Sequence, residues 1–169
     1  LPHVASGRLE RLADFPSRHV DARHVDVWLP AGYDTGVRHD VLYMHDGQML
    51  FDATTTFNRQ AWEVPPTLGA LISARRVRPT IVVAVWNNGA RRHSEYYPQA
   101  FLPLLPPALR REFVDRALQG QPRSDAYLRF LVEELKPAID ARYATRPGRE
   151  HTFVMGSSMG GLISWHALL

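Results

Sequence analysis

The sequence contains no cysteine among its 169 residues, which excludes disulfide bonds, thiolate metal sites and a cysteine nucleophile together. Lysine is nearly absent as well, since Lys136 is the only one and the other basic residues are arginines. The net charge is +3, and the arginines form scattered pairs rather than a stripe interleaved with aromatic residues, so we expect no nucleic-acid partner. No apolar run approaches the roughly 20 residues of a membrane-spanning helix, so we expect no membrane span.

The composition is ordinary for one globular domain, with 45% hydrophobic and 22% charged residues. The chain starts at Leu1 rather than at Met, which we interpret as processing, trimming or a fragment. The lack of cysteine leaves the redox compartment open. Removal of a signal peptide would fit an exported, periplasmic or secreted protein, but the compartment stays undefined.

Strand and helix signals alternate along the chain. Alternating or β-branched residues predict five strands, at 7–15, 24–29, 40–44, 80–86 and 152–155. Apolar residues spaced three or four apart predict helices at 64–77, with Val77 toward the core, at 108–118, and from an N-cap at Ser124 through Ile139, with a kink at Pro137. This order predicts an α/β fold with a mostly parallel central sheet and helices on both faces.

The segment that points to chemistry is Gly-Ser-Ser-Met-Gly-Gly at 156–161, which follows the last predicted strand and precedes an apolar helical stretch. A strand that turns through Gly-x-Ser-x-Gly into a helix is a nucleophile elbow. The turn is so tight that Gly156 and Gly160 must flank Ser158, because a Cβ at either position would clash. The Ser158 hydroxyl then lies at a helix N-terminus, where free N–H groups favour negative charge.

Three other interpretations of this segment are weaker. A glycine-rich loop without chemistry would not need to lie between a strand and a helix. Ser157 is a poorer nucleophile than Ser158, because Met155 and Met159 would occupy its flanking positions. A phosphate-binding loop is also poor, because no lysine follows the glycines.

Three further segments accompany the elbow. They are Tyr-Met-His-Asp-Gly-Gln-Met-Leu-Phe-Asp at 43–52, Val-Ala-Val-Trp-Asn-Asn at 83–88 leading to Glu-Tyr-Tyr-Pro at 95–98, and Glu-Leu-Lys-Pro-Ala-Ile-Asp at 134–140. Together with the elbow they resemble the putative-esterase branch of the α/β-hydrolases. That branch includes siderophore-lactone, feruloyl and acetyl-xylan esterases, S-formylglutathione hydrolase and the mycolyltransferases. The resemblance extends from about residue 25 to the end of the sequence.

The resemblance implies roles for residues at matching positions. Ser158 would be the nucleophile that forms an acyl-enzyme, and the backbone N–H groups of Gln48 and Met159 would be the oxyanion donors. His45, just before Asp-Gly-Gln, is expected to be a structural hydrogen-bonding residue rather than a catalytic one.

The predicted polar loop at 87–99 would line the substrate cleft, since ligands bind at the carboxyl ends of the strands in such sheets. The residues expected in the cleft are Asn87, Asn88, Arg91 and Tyr96, and Arg91, Arg92, Tyr96 and Tyr97 could hold an acidic or aromatic substrate. The alternative is an ion pair between an arginine and Glu95 within a solvated loop.

The general base and orienting acid of a serine hydrolase are missing after Ser158. Their order in this fold is Ser, then Asp or Glu, then His, but residues 159–169 contain no carboxylate and only His166. On a helix His166 would lie roughly 12 Å along the axis from Ser158, too far to reach it. We therefore expect residues 1–169 to be the incomplete N-terminal portion of a single α/β-hydrolase domain, inactive alone, with an exposed sheet edge prone to association.

Two classes of function fit these observations. The first is a serine esterase acting on a small-molecule or glycan-linked carboxylic ester, or an acyltransferase of the same fold, with the acid and histidine beyond Leu169. No cofactor is expected, and no metal, because no His/Asp/Glu cluster has metal-ligand spacing. The second is a non-catalytic binding protein, which the missing triad residues would favour if the chain were complete.

Overall fold

A five-stranded sheet in the order β1-β2-β4-β3-β5 forms the centre of the computed structural model, which describes residues 1–169. The strands are β1 (Arg8–Phe15), β2 (Arg23–Leu29), β3 (Asp40–His45), β4 (Thr80–Val85) and β5 (Thr152–Met155). The helices are α1 (Val64–Ser73), α2 (Arg92–Tyr96), α3 (Pro107–Ala117), α4 (Ser124–Arg129), α5 (Lys136–Arg142) and α6 (Met159–His166). Short 3₁₀ turns occur at Gly47–Met49, Gly89–Arg91, Gln99–Leu104 and Arg149–His151.

The sheet is mixed. β3 pairs in parallel with β4 and β5, whereas β2 pairs antiparallel with both β1 and β4. Four strands therefore run in one direction and β2 alone runs against them. The predicted α/β fold is confirmed, but the sheet has more antiparallel pairing than expected. The link 16–22 between β1 and β2 is shorter than the dozen or so residues that a parallel crossover needs.

Helices cover both faces of the sheet. All six residues of β4 are buried, as expected for a β-branched strand enclosed on both sides. On one face Val27 and Val83 pack with Tyr127 of α4. On the other face Val82 packs with Val64 of α1. The carboxyl ends of β3, β4 and β5 therefore rest on a core that is fixed from both sides.

Two helices differ from their predictions in detail. α1 begins with prolines in its first turn, as expected, but it ends at Ser73, and Val77 is 37% exposed rather than packed in the core. The Ser124 hydroxyl makes no capping bond to its helix and instead accepts a hydrogen bond from the Gln99 N–H at 2.8 Å. No helix in the structure has the length and apolar character needed to cross a membrane.

The helical segment that starts at Ser124 has an irregular centre. Residues Phe130–Leu135 form a π-helix between α4 and α5. Pro137 lies in the first turn of α5 and has no N–H to continue the α-helical ladder. The irregular part of this helical segment therefore lies directly upstream of the proline, at Phe130–Leu135.

β5 is one of the two edge strands of the sheet, and β1 is the other. β5 pairs only with β3, and Phe153 and Met155 on its outer face are 44% and 45% exposed. A groove of about 850 Å³ runs beside it, with Leu68 and Ile72 of α1 among its lining residues. No residue of the elbow lines this groove, so it is a feature of the sheet face rather than of the candidate site.

Candidate active site

Ser158 occupies the turn between β5 and α6 in a backbone conformation that side chains rarely adopt. Its φ is 52° and its ψ is −124°, which costs on the order of 1–3 kcal/mol for a residue with a Cβ. The residue is nonetheless exposed at the surface. This is the geometry that a nucleophile elbow requires, because the bend lifts the hydroxyl off the end of the strand.

The glycines beside Ser158 allow two backbone segments to approach each other. A Cβ on Gly156 would lie 2.6 Å from the carbonyl carbon and oxygen of Gly160, a distance that no side chain can tolerate. A Cβ on Gly161 would lie 3.2 Å from the Gly156 oxygen. The two sides of the elbow therefore touch directly, and the turn closes only because side chains are absent.

The first turn of α6 supplies one candidate oxyanion donor. Met159 is the first residue of this helix, so its N–H has no partner within the helix, and the positive end of the helix dipole lies there. His166 lies at the opposite end of α6, where its ring packs against Phe101 with centroids 5.6 Å apart. The structure thus keeps His166 away from Ser158, as expected.

The turn after β3 supplies the other candidate donor. Asp46 has a left-handed backbone with φ 57°, and the 3₁₀ turn that contains Gln48 follows it. A Cβ on Gly47 would lie 2.6 Å from the carbonyl group of Ala84, so this turn rests directly on the end of β4. The Gln48 side chain accepts a hydrogen bond from the Asn87 N–H at 3.1 Å. We call residues 46–48 the β3 turn.

The β3 turn and the elbow face each other across Gly160. A Cβ at this glycine would lie 3.4 Å from both the Asp46 Oδ2 and the His45 Cβ. The Asp46 carboxylate is therefore beside the first turn of α6. The two segments that carry the candidate donors, at Gln48 and at Met159, therefore lie together at the carboxyl ends of β3 and β5.

Asp46 is held from two further directions. Arg92 of α2 donates to both carboxylate oxygens at 2.7 Å, and the Asn87 side chain donates to Oδ1 at 2.7 Å. The hydrogen bond to Asp46 raises the pKa of Arg92. The Arg92 guanidinium also stacks on the Tyr96 ring, 5.2 Å from its centroid.

His45 is buried beneath the β3 turn. Its Nδ1 lies 2.7 Å from the Tyr127 hydroxyl, and its ring packs against those of Tyr96 and Tyr127. Burial lowers the pKa of His45 to about 4, so the ring is neutral near pH 7. These contacts are those of a structural residue.

The predicted cleft residues divide into two groups. Tyr96 is completely buried and accepts a hydrogen bond from the Asp46 N–H at 3.3 Å. The prediction that Tyr96 lines the cleft is therefore wrong, because 87–99 is not a plain loop and α2 turns this side chain inward. Asn87, Asn88 and Arg91 are half-buried. Asn87 supports the β3 turn, while Asn88 donates to Asp21 at 2.9 Å and Arg91 lies 3.6 Å from the same carboxylate.

The ion pairing of this segment also differs from the predicted alternative. Glu95 does bind an arginine, but its partner is Arg23 of β2, at 2.7 and 2.8 Å. The side chains are 2% and 0% exposed, so the pair lies in the core and not in a solvated loop. Sequence reasoning missed both this pair and the Asp46–Arg92 pair, since their partners are far apart along the chain.

Several histidines other than His45 are engaged with partners elsewhere. His19 lies 3.0 Å from Glu133, His24 accepts from the Asp14 N–H at 3.1 Å, and His151 lies 2.9 Å from Asp40. No group of three His, Asp or Glu side chains is arranged to hold a metal ion. Residues 1–169 thus present a serine and candidate oxyanion donors, but no histidine paired with that serine.

The sheet with one reversed strand, helices on both faces and a strained serine between a parallel strand and a helix together define an α/β-hydrolase fold. The chain belongs to the family described as "Putative esterase", whose sequence model matches residues 18–169. This family membership agrees with the resemblance drawn from the sequence segments.

Individual relatives are similar to this chain at low sequence identity. A siderophore enterobactin esterase from Emericella nidulans is 26% identical over 148 residues, covering 83% of this chain and 45% of the relative. A ferulic acid esterase from Anaeromyces mucronatus, solved in complex with ferulic acid, has a TM-score of 0.63 at 21% identity, covering 97% of this chain and 53% of that one. The enterobactin esterase FES from Shigella flexneri, solved in the presence of enterobactin, has a TM-score of 0.64 at 18% identity, covering 98% and 34%. The chain therefore spans about half the length of these relatives or less.

Proposed function

We propose that Ser158 is the nucleophile of a carboxylic ester hydrolase and forms an acyl-enzyme. The observation that carries this proposal is the strained and exposed backbone of Ser158, held between β5 and α6 by glycines that cannot accept a side chain. A fold stores strain at such a position where the geometry serves a function. Membership of an esterase family supports the same reaction class.

The chemical steps follow from this geometry. The Ser158 hydroxyl attacks the ester carbonyl carbon while a general base takes its proton. The oxyanion of the tetrahedral intermediate accepts hydrogen bonds from the N–H groups of Met159 and Gln48, each contributing typically about 10²–10³ in rate. The intermediate collapses, the alcohol leaves with a proton, and water then releases the acid. We propose that the base is a histidine oriented by a carboxylate, both outside residues 1–169.

The relatives suggest the chemical class of the substrate. Enterobactin and ferulic acid, the molecules named for the relatives above, both contain phenolic aromatic acyl groups. By analogy, we propose a carboxylic ester that carries a phenolic aromatic group, small or glycan-linked, as the substrate of this protein. Transfer of the acyl group to an alcohol would use the same acyl-enzyme and differs only in the acceptor that reaches it.

The proposal is tested by ester hydrolysis with the complete gene product. We expect turnover of p-nitrophenyl acetate and ethyl ferulate that is lost on Ser158→Ala and retained on Ser157→Ala, a matched change at the neighbouring exposed serine. EDTA should have no effect, since catalysis needs no metal in this mechanism. Activity that survives Ser158→Ala, or that EDTA removes, would contradict the proposal.

A folded complete protein without turnover would favour the non-catalytic alternative. Adding an alcohol acceptor to the assay separates the two enzymatic variants. A hydrolase releases free acid in its presence, whereas an acyltransferase produces the new ester.

A further inference from the structure

The charge beside the candidate oxyanion site presents an electrostatic problem. The Asp46 carboxylate lies against the first turn of α6, where a methyl group on Gly160 would be 3.4 Å from its Oδ2. The same turn provides the N–H groups that would stabilise a developing negative charge. An uncompensated carboxylate at this position would repel that charge and compete for the same positive potential.

Arg92 compensates this carboxylate with a two-pronged ion pair. Its Nε and one terminal nitrogen each donate at 2.7 Å to a different oxygen of Asp46. Such planar pairing fixes orientation as well as charge. The Arg92 side chain is only 23% exposed and stacks on the buried Tyr96 ring, so solvent screening of the pair is limited.

The pair is also connected to the backbone that carries Gln48. Asn87 donates through its side chain to Asp46 Oδ1 and through its N–H to the Gln48 side chain. Tyr96 accepts from the Asp46 N–H. The left-handed conformation of Asp46 is thus held by groups from the segment after β4 and from α2. Loss of these hydrogen bonds would move the Gln48 N–H.

We propose that Arg92 is a positioning residue for the esterase reaction, which holds the β3 turn in register with the elbow and neutralises Asp46 beside the oxyanion site. This inference rests on the proposed function of Ser158. Arg92 need not touch the substrate, because it acts through Asp46 and the turn that follows it.

The test is steady-state ester hydrolysis by variants of the complete gene product. Arg92→Met should lower kcat about 10–100-fold, less than or equal to the loss of one oxyanion donor, while KM changes by less than about threefold because the substrate is not contacted. Arg92→Lys keeps the charge without the two-pronged geometry and should give an intermediate kcat. Arg129→Met is the matched control, since Arg129 forms a two-pronged pair with Glu133 on an exposed helix face, and its kcat should equal that of the wild type.

A second variant separates the effect of the Asp46 charge from a purely structural effect of the Asp46–Arg92 pair. Adding Asp46→Asn to Arg92→Met removes the unpaired carboxylate, so kcat should rise at least about fivefold over the single variant. A double variant no faster than Arg92→Met would overturn the proposal, because the pair would then be only a structural tie. Wild-type kcat in Arg92→Met would also overturn it. If Arg92→Met fails to fold, as judged by circular dichroism, Arg92→Lys becomes the deciding variant. A wild-type kcat in Arg92→Lys would then refute the proposal.

The two proposals fail in different ways. Turnover that depends on Ser158 but not on Arg92 refutes only the role of Arg92. Absence of any turnover dependent on Ser158 in the folded wild-type protein refutes both.

Discussion

At the scale of single residues, the candidate site depends on positions where a Cβ is absent. Gly156 and Gly160 are in backbone contact across the elbow, and Gly47 rests against the end of β4. Each contact brings a segment with a candidate role closer than any side chain would allow. The strained backbone conformation of Ser158 is therefore maintained by the packing of its neighbours, because a serine alone rarely adopts it.

Replacing Gly156 by alanine should therefore damage both stability and activity. The new methyl group would meet the Gly160 backbone at 2.6 Å, and relieving that contact must open the elbow. We expect a loss of about 1–3 kcal/mol in the free energy of unfolding and at least about 100-fold in kcat/KM from the displaced nucleophile. Urea denaturation and ester hydrolysis measure the two effects.

Gly36→Ala is the matched control for this substitution. A Cβ there would meet only the Asp34 side chain at 3.5 Å, an ordinary contact, and Gly36 is exposed. Stability and activity should stay near those of the wild type. Equal behaviour of Gly156→Ala and Gly36→Ala would show that the elbow is not closed by backbone contact.

His45 makes stability depend on pH in a defined direction. Burial lowers its pKa to about 4 in the folded protein, whereas the unfolded chain titrates near 6.5. As pH falls, the unfolded state therefore binds a proton at His45 before the folded state does. The stability that depends on neutral His45 is complete above about pH 6.5 and is lost progressively down to about pH 4. The loss is on the order of 3 kcal/mol.

The measurement compares urea denaturation of the wild type and of His45→Asn between pH 7 and pH 4. Asparagine can keep the hydrogen bond to Tyr127 but does not titrate, so the variant should lose less stability over this interval. Parallel pH profiles for the two proteins would show that His45 is not a buried neutral residue.

At the scale of secondary-structure elements, α2 connects the core to the site. This five-residue helix places Arg92 on Asp46, Tyr96 beneath the β3 turn and Glu95 on Arg23 of β2. A short element with three such contacts fixes the segment after β4 against the sheet. The support of the β3 turn thus extends to the second strand.

Breaking the buried pair should therefore be costly. Glu95→Gln leaves the Arg23 charge in the core without its counterion, and we expect a loss of about 3–5 kcal/mol in unfolding free energy. Glu112→Gln is the control, because Glu112 and its partner Arg116 are 57% and 80% exposed, and it should cost less than about 1 kcal/mol. Comparable losses for both variants in urea denaturation would contradict the burial of the Arg23–Glu95 pair.

The predictability of these elements follows their length and their neighbours. β4 and the elbow are encoded locally, by an apolar β-branched run and by glycines at fixed spacing, and both are predicted from sequence. α2 is not, because five residues are too few for a helical period to show. The inward direction of Tyr96 and the choice of Asp46 as the partner of Arg92 depend on tertiary packing, which residue spacing does not contain.

At the scale of the whole molecule, the open edge of β5 dominates the expected behaviour of residues 1–169. The strand pairs on one side only and exposes Phe153 and Met155. Unpaired strand edges with apolar side chains promote association. This chain spans only 34–53% of the two solved structures described above. Those relatives therefore contain residues outside the matched region.

Residues 1–169 expressed alone should therefore associate. We expect elution ahead of a monomer of 19.2 kDa in size-exclusion chromatography and strong binding of a hydrophobic dye. Phe153→Lys places a charge on the exposed face and should shift the protein toward monomer. Ser157→Ala, on the nearby elbow, should leave the elution unchanged. A monomeric wild-type fragment without dye binding would contradict this prediction.

The overall architecture is largely predictable from the order of strand and helix signals, which defines an α/β fold. The mixed pairing is less so, because nothing local to Arg23–Leu29 shows which strand it will join. Whether a histidine acts as general base likewise depends on the folded molecule. His19, His24 and His151 contact Glu133, Asp14 and Asp40, and these partners are not apparent from the local sequence.

The role of Ser158 as nucleophile is tested by covalent labelling of the complete gene product with a fluorophosphonate, read by intact mass and peptide mapping. We predict one adduct per molecule, on Ser158, that is lost on Ser158→Ala and kept on Ser157→Ala. A folded protein that takes up no label, or that carries it on another residue, would contradict the assignment of Ser158 as the nucleophile.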